Sequence, residues 1–424
     1  MYWFYIDGIV HISYRNSNLL CYHPYTGKVL EFEHSGTSEK VRKLIQKLLV
    51  PKNLRIIRIS NGDLQDLSVF QFVHTIRDFY MGDLLDVSLS DAKPFQMPPI
   101  VKNEKDVKYL SSDLNRSMGE NIMNYLDEIT LYLNEECHHN CPMCHYFFKQ
   151  TTCCTAKKAS RHFLDSVKLK KLFSQIQGCR LTDLNISGGD FFLHPEWSEL
   201  MALFQTLKAR KTFYINYLNL AKHLDQLPRL NGPDTRIHLQ ITFPLDMKKL
   251  EIVWTSLSQL GIESVPRFFI QSSEEYNTVE TLRSKLGIQS VDFFPIYNGA
   301  NLDFFTENVF ISRDDFEKIH PKPRFIYANS IVNSNYFGKL NILPDGRIYG
   351  NLHSPKLGTL GKESIYDCVF KEMKFGQSWR KLRENVMPCK QCNFQQLCPP
   401  ISNHNFAIGR YNLCSIHLEP GRLS

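Results

Sequence analysis

Between roughly residues 120 and 330 the chain repeats one rhythm: a short apolar run, then a stretch with apolar residues every three or four positions. The runs "ITLYLN", "LTDLNIS", "TFYINYL", "RIHLQITF", "SVPRFFIQ" and "SVDFFPIY" read as strands. Between them, Leu169, Leu172, Phe173 and Ile176 share one helical face, and Trp197, Leu200, Met201, Phe204 and Leu207 share another. Six such units in sequence predict an α/β fold. Its parallel sheet should carry outer helices and curl into an incomplete barrel.

The pattern changes on either side. Residues 1–105 open with the strand-like pieces "YWFYI", "VHISY", "LLCYH" and "KVLEFE", with turns at "RNSN" and "PYTGK". Val41, Leu44, Ile45 and Leu48 then predict a helix stopped by Pro51. A strand, "LRIIRIS", and a second helix through "LSVFQFVHTIRDF" follow. The stretch "SLSDAKPFQMPPIVKNEKD" reads as a linker. Residues 331–424 begin with a hairpin, "GKLNILPDGRIYGNL", turning at Asp345-Gly346, and run through a short helical stretch into a cysteine-rich tail. Three domains are expected: 1–105, 120–330 and 331–424.

Composition narrows the class. With 43% hydrophobic and 22% charged residues, the 424-residue chain is ordinary globular protein, long enough for two or three cores. Its net charge of +7 is not gathered into Lys/Arg blocks, which suits an acidic peptide better than nucleic acid. No apolar run reaches the ~18 residues of a membrane span. The start, "MYWFYIDGIVHIS", lacks a basic n-region, so no secretory signal is expected and the location should be cytoplasmic.

In a reducing compartment the twelve cysteines are not a disulfide framework, and their clustering points to metal. Cys137, Cys141 and Cys144 form C-x₃-C-x₂-C at the C-terminal end of the first strand of the alternating region, where such folds place their chemistry. Zinc would need a fourth ligand such as His138, His139 or His145. An iron–sulfur cube held by three thiolates would leave one iron open. In the tail, Cys389, Cys392, Cys398 and Cys414 make a closed set of four, which suits structural zinc or iron–sulfur alike. Cys21, Cys153, Cys154, Cys179 and Cys368 are scattered and read as core or surface thiols.

The triplet, followed one strand later by "ISGGDFFLHPEW", resembles the radical S-adenosylmethionine (radical SAM) superfamily. The resemblance implies that Cys137, Cys141 and Cys144 hold a [4Fe–4S] cluster whose open iron binds SAM. Reductive cleavage would then release a 5′-deoxyadenosyl radical. Gly188 and Gly189 match the family's Gly-Gly-Glu motif, which holds the methionine ammonium. Asp190 stands in for the glutamate, one methylene shorter. Asn216, Gln240 and Thr242 are further candidate SAM contacts, and each reads equally as a polar residue lining a barrel. Met143 takes the place of an aromatic near the adenine.

The tail is similar to the SPASM extension of these enzymes. In that pattern Asn335, Asn351 and Ser402 replace three cysteines that serve one auxiliary cluster. Cys389, Cys392, Cys398 and Cys414 are the ligand set of the other. One auxiliary [4Fe–4S] cluster is therefore expected. The resemblance covers roughly residues 125–420 and implies a peptide-modifying oxidoreductase of the ribosomal peptide maturase type. Its product would be a crosslink, thioether or epimer. Implied partners are a precursor peptide, bound by a winged-helix-like N-terminal element, and an electron donor such as flavodoxin or ferredoxin, without membrane or nucleic acid. Two alternatives stay open: a degenerate companion that binds precursor peptide for a separate maturase, and an RNA-modifying radical SAM enzyme.

Overall fold

The computed structural model describes residues 1–89, 91–96, 122–139, 141, 148–153 and 162–416. The first 86 residues build two antiparallel three-stranded sheets. Strand β1 (Tyr2–Ile6) begins the chain; β2 (His11–Arg15), β3 (Asn18–Tyr22) and β4 (Val29–Phe32) form a meander. Then β5 (Ile56–Ile59) and β6 (Gly82–Asp86) return to flank β1. Helices Glu39–Leu49 and Leu67–Asp78 cover these sheets, capped by Ser38 and Asp66. Val41, Leu44, Ile45 and Leu48 are buried, as their spacing predicts. Strand β6 was not anticipated. Its sequence, Gly-Asp-Leu-Leu-Asp, has no alternation, and its pairing with β1 runs through backbone groups.

Strand β3 is buried on both faces. Leu19 and Cys21 enter the N-terminal core, while Leu20 and Tyr22 pack with Phe316, Ile326, Phe394 and Leu397 from the far end of the chain. Side chains alternate across a strand, so one strand can serve two cores.

Next come β7 (Glu128–Tyr132), β8 (Asp183–Ser187), β9 (Arg210–Asn216), β10 (Thr235–Ile241), β11 (Ser264–Ile270) and β12 (Asp292–Pro295). They pair in chain order and all in parallel, in agreement with the six strands read from the sequence. One face carries Ile129, Leu131, Leu184, Ile186, Phe213 and Ile215, which pack with helices Ser166–Ile176 and Trp197–Gln205. Thr130, Asn185, Thr212, His238 and Gln240 occupy alternate positions and are buried polar residues.

The sheet continues past its first strand. Strand β13 (Lys339–Ile342) pairs in parallel with β7, and β14 (Arg347–Tyr349) and β15 (Gly358–Thr359) follow antiparallel. The hairpin of the third region is thus an extension of the central, mostly parallel sheet. Among the described residues no helix is long and apolar enough to cross a membrane.

Candidate functional site

The site starts where β7 stops. Leu133 N–H donates to the Ser187 carbonyl at 2.8 Å, and the two chains then run on together. Gly189 N–H donates to the Asn134 carbonyl at 2.9 Å and Asp190 N–H to the Glu136 carbonyl at 2.6 Å. Asn134 Nδ2 returns a bond to the Asp190 carbonyl at 2.8 Å. Such close approach requires glycine. Gly188 has φ +132°, and a Cβ on Gly189 would lie 2.0 Å from the Glu136 carbonyl oxygen. The Gly-Gly pair therefore serves to seat Asp190 against the residue that precedes Cys137.

Asp190 is 1% exposed. Its Oδ2 lies 3.3 Å from His223 Nε2, whereas its Oδ1 is buried with no hydrogen-bond partner. Buried carboxylate oxygens are rarely left unsatisfied, so this atom keeps the capacity to accept a further donor. His139 lies nearby, with its own Nε2 buried and unpartnered. Burial and the charge of Lys222 hold its imidazole below the ordinary range, while Asp190 pulls the other way. Cys137 Sγ is 3.8 Å from the His139 carbonyl, and Cys141 packs with Cys153 against Phe269 and Ile296. Cys144, Met143, His145 and Cys154 lie outside the described residues.

No family model and no curated protein matches the chain. Solved structures do. Streptococcus suis SuiB bound to precursor peptide SuiA is 12% identical with a TM-score of 0.49, over 97% of this chain and 98% of that one. SuiB bound to S-adenosylmethionine is 11% identical with a TM-score of 0.48, over the same shares. The protein anSMEcpe, with bound AdoMet and the Cp18Cys peptide, is 14% identical at a TM-score of 0.42, over 64% of this chain and 87% of that one. Likeness this distant transfers no residue roles, and the site stands on its own contacts.

The remaining expected contacts fall in different places. Asn216 Oδ1 accepts from Leu218 N–H at 2.9 Å and caps the short helix that follows β9. Gln240 is committed through Nε2 to the Thr152 carbonyl. Together with Gln150, which bonds both the N–H and the carbonyl of Tyr297, it fastens segment 148–153 onto the ends of β10 and β12. Thr242 is buried just past the end of β10. Gly188, Gly189 and Asp190 are the expected contacts brought directly to the cysteine loop.

The third region closes around the same strand ends. His353 meets the Lys149 carbonyl at 3.0 Å, and His404 the Pro295 carbonyl at 2.8 Å. Asn335 Nδ2 donates to the Ile401 carbonyl, Asn351 Oδ1 accepts from His353 N–H, and Ser402 starts helix Asn403–Ile408 in a capping box. These three side chains bond to backbone groups and to Asn405.

Cys389, Cys392, Cys398 and Cys414 are all buried, and the other three each act electrostatically on Cys398. Burial pushes the Cys392 thiol up to about 11 and raises Cys398 as well. Arg383 supplies the cation: Nη1 lies 3.5 Å from Cys389 Sγ, and its charge opposes the rise at Cys398. Four buried cysteines thus lie together with one guanidinium. Among the described residues, no three Cys, His, Asp or Glu side chains converge closely enough to hold a single metal ion.

Sequence reasoning missed His223 and Arg383. Neither sits in a motif; they are 33 residues from Asp190 and 6 from Cys389, on separate local elements.

Proposed function

We propose that the chain is a radical SAM enzyme that modifies a ribosomally made precursor peptide. The observation that carries this reading is the seating of Asp190, with one orphaned carboxylate oxygen, beside the loop that bears Cys137 and Cys141. In this reading Cys137, Cys141 and Cys144 hold the SAM-binding [4Fe–4S] cluster. Cys389, Cys392, Cys398 and Cys414 hold one auxiliary cluster. Bound there, cluster and SAM would supply a 5′-deoxyadenosyl radical for hydrogen abstraction.

This chain's own residues bind and enclose. Asp190 offers its buried carboxylate to the methionine ammonium, and the Gly188-Gly189 turn sets its position. Gln150, His353 and His404 hold loops over the strand ends, which limits water at the reacting face. The six parallel strands would form the incomplete barrel, and residues 331–424 a SPASM-like extension that has dropped one cluster. Residues 1–105 would recognise a leader as an added strand. Among the described strands β2, β4, β5 and β6 each have one neighbour and so offer an edge. Cytoplasmic location and a flavodoxin- or ferredoxin-type donor belong to the same reading.

The test is anaerobic reconstitution with iron and sulfide, followed by reduction in the presence of SAM. The parent should release 5′-deoxyadenosine, and Cys141→Ala should not. A fully reconstituted parent that neither binds nor cleaves SAM overturns the reading.

A further inference from the structure

We propose that His223 is a positioning residue for SAM, holding Oδ2 of Asp190 so that Oδ1 is presented to the ligand's ammonium. The inference rests on the SAM site proposed above and assigns that site a residue outside its motif. Three observations lead to it.

The two oxygens of Asp190 are unequal: Oδ2 faces His223 Nε2 at 3.3 Å, and Oδ1 is buried and without a partner. A carboxylate that is 1% exposed and held on one side has a single direction left in which to accept a donor.

His223 is itself held. Its ring packs against Phe192 at 4.9 Å, two residues after Asp190. Its N–H donates to the Leu220 carbonyl and its carbonyl accepts from Gln226 N–H, each at 3.0 Å. Because Nε2 is the nitrogen facing the carboxylate, that nitrogen carries the proton in the bonded arrangement. Among the described residues no other side chain or backbone group bonds Oδ1.

The third observation is length. Aspartate is one methylene shorter than the glutamate of the resembled motif, so its reach depends more on how the carboxylate is oriented. A short side chain fixed in one orientation replaces a longer one that adapts. Pre-organisation of this kind gains affinity by reducing what must be ordered on binding.

The experiment is calorimetric SAM binding to the anaerobically reconstituted full chain, with iron content and melting temperature recorded for each variant. His223→Ala should weaken SAM binding roughly tenfold, the loss of one charge-assisted positioning bond, at unchanged iron content. His223→Gln, which can place a nitrogen donor near the position of Nε2, should retain most of the affinity. The decisive variant is Asp190→Glu combined with His223→Ala. A longer carboxylate reaches without help, so parental affinity should return, which a purely structural role for His223 would not produce. Unchanged binding in His223→Ala overturns the proposal. Tighter binding overturns it too, because His223 would then compete with SAM for the carboxylate. A parent that holds its cluster yet binds no SAM overturns the site and this role with it.

Discussion

Asn134 and Asp190, 56 residues apart in the chain, are joined by a 2.8 Å hydrogen bond from the Asn134 side chain to the Asp190 carbonyl. That bond and its backbone neighbours lock the ends of β7 and β8 into one unit. Asp190 and the cysteine loop are therefore parts of a single structural piece, and changes at the contact should affect both.

Gly189→Ala tests the contact directly. A methyl group 2.0 Å from the Glu136 carbonyl forces one loop away from the other. Destabilisation of about 1–3 kcal/mol in denaturant unfolding is expected, with SAM affinity lost alongside. Gly178, whose added Cβ would meet nothing within 4 Å, is the control; Gly178→Ala should stay within about 0.5 kcal/mol.

Metal content separates the two cysteine sets. Two [4Fe–4S] clusters correspond to ~8 iron and ~8 sulfide per chain. Replacing Cys137, Cys141 and Cys144 by Ala should halve both and abolish SAM binding. Cys398→Ser should lower iron while leaving SAM binding in place. Stoichiometric zinc without sulfide would exclude the radical reading.

Arg383 places a buried positive charge beside Cys389. A cation next to an iron–sulfur group favours the reduced, more negative form. Arg383→Met should therefore lower the midpoint potential of the tail cluster, on the order of tens of millivolts. The first cluster's potential should not change. Potentiometric titration followed by electron paramagnetic resonance reads both, and an unchanged tail potential would refute the assignment.

Glu372 gives a pH signature. Its carboxyl is buried against Gly350 and Gly376, and burial pushes it from 4.5 up to about 7 against the pull of Arg380. The folded chain thus holds this proton more tightly than the unfolded one. The resulting stability is fully present below pH 4.5 and is lost as pH rises through about 7. Across that window the parent should lose on the order of 3 kcal/mol that Glu372→Gln does not lose. Unfolding measured at several pH values for both proteins gives the difference, and parallel curves would show that Glu372 ionises normally.

Much of the fold was legible because local pattern and local burial coincide. The helix face of Val41, Leu44, Ile45 and Leu48 is buried as spaced, and the six strands of the alternating region pair in chain order. The cysteine triplet and the Gly-Gly-Asp turn were also readable, since each is a contiguous motif. Less was readable of the later contacts. Asn216 and Gln240 bear polar groups suited to a ligand, and in the structure Asn216 Oδ1 caps a helix while Gln240 Nε2 bonds the Thr152 carbonyl.

What the sequence determined by itself is whatever neighbours in the chain can specify: strand and helix periodicity, the glycine turn, and two sets of thiols at metal-binding spacing. Tertiary structure alone decided the rest. It placed β13 beside β7 and made β3 a wall shared by the N-terminal core and the cysteine-rich tail. Removing residues 1–105 would consequently uncover Phe394 and Leu397 beside Cys392 and Cys398, so that region cannot be treated as detachable. Tertiary structure also brought His223 to Asp190, 33 residues earlier in the chain. The physical reason is common to these cases. Strand pairing uses backbone groups that every residue has, and an ion pair between distant segments leaves no periodicity in either.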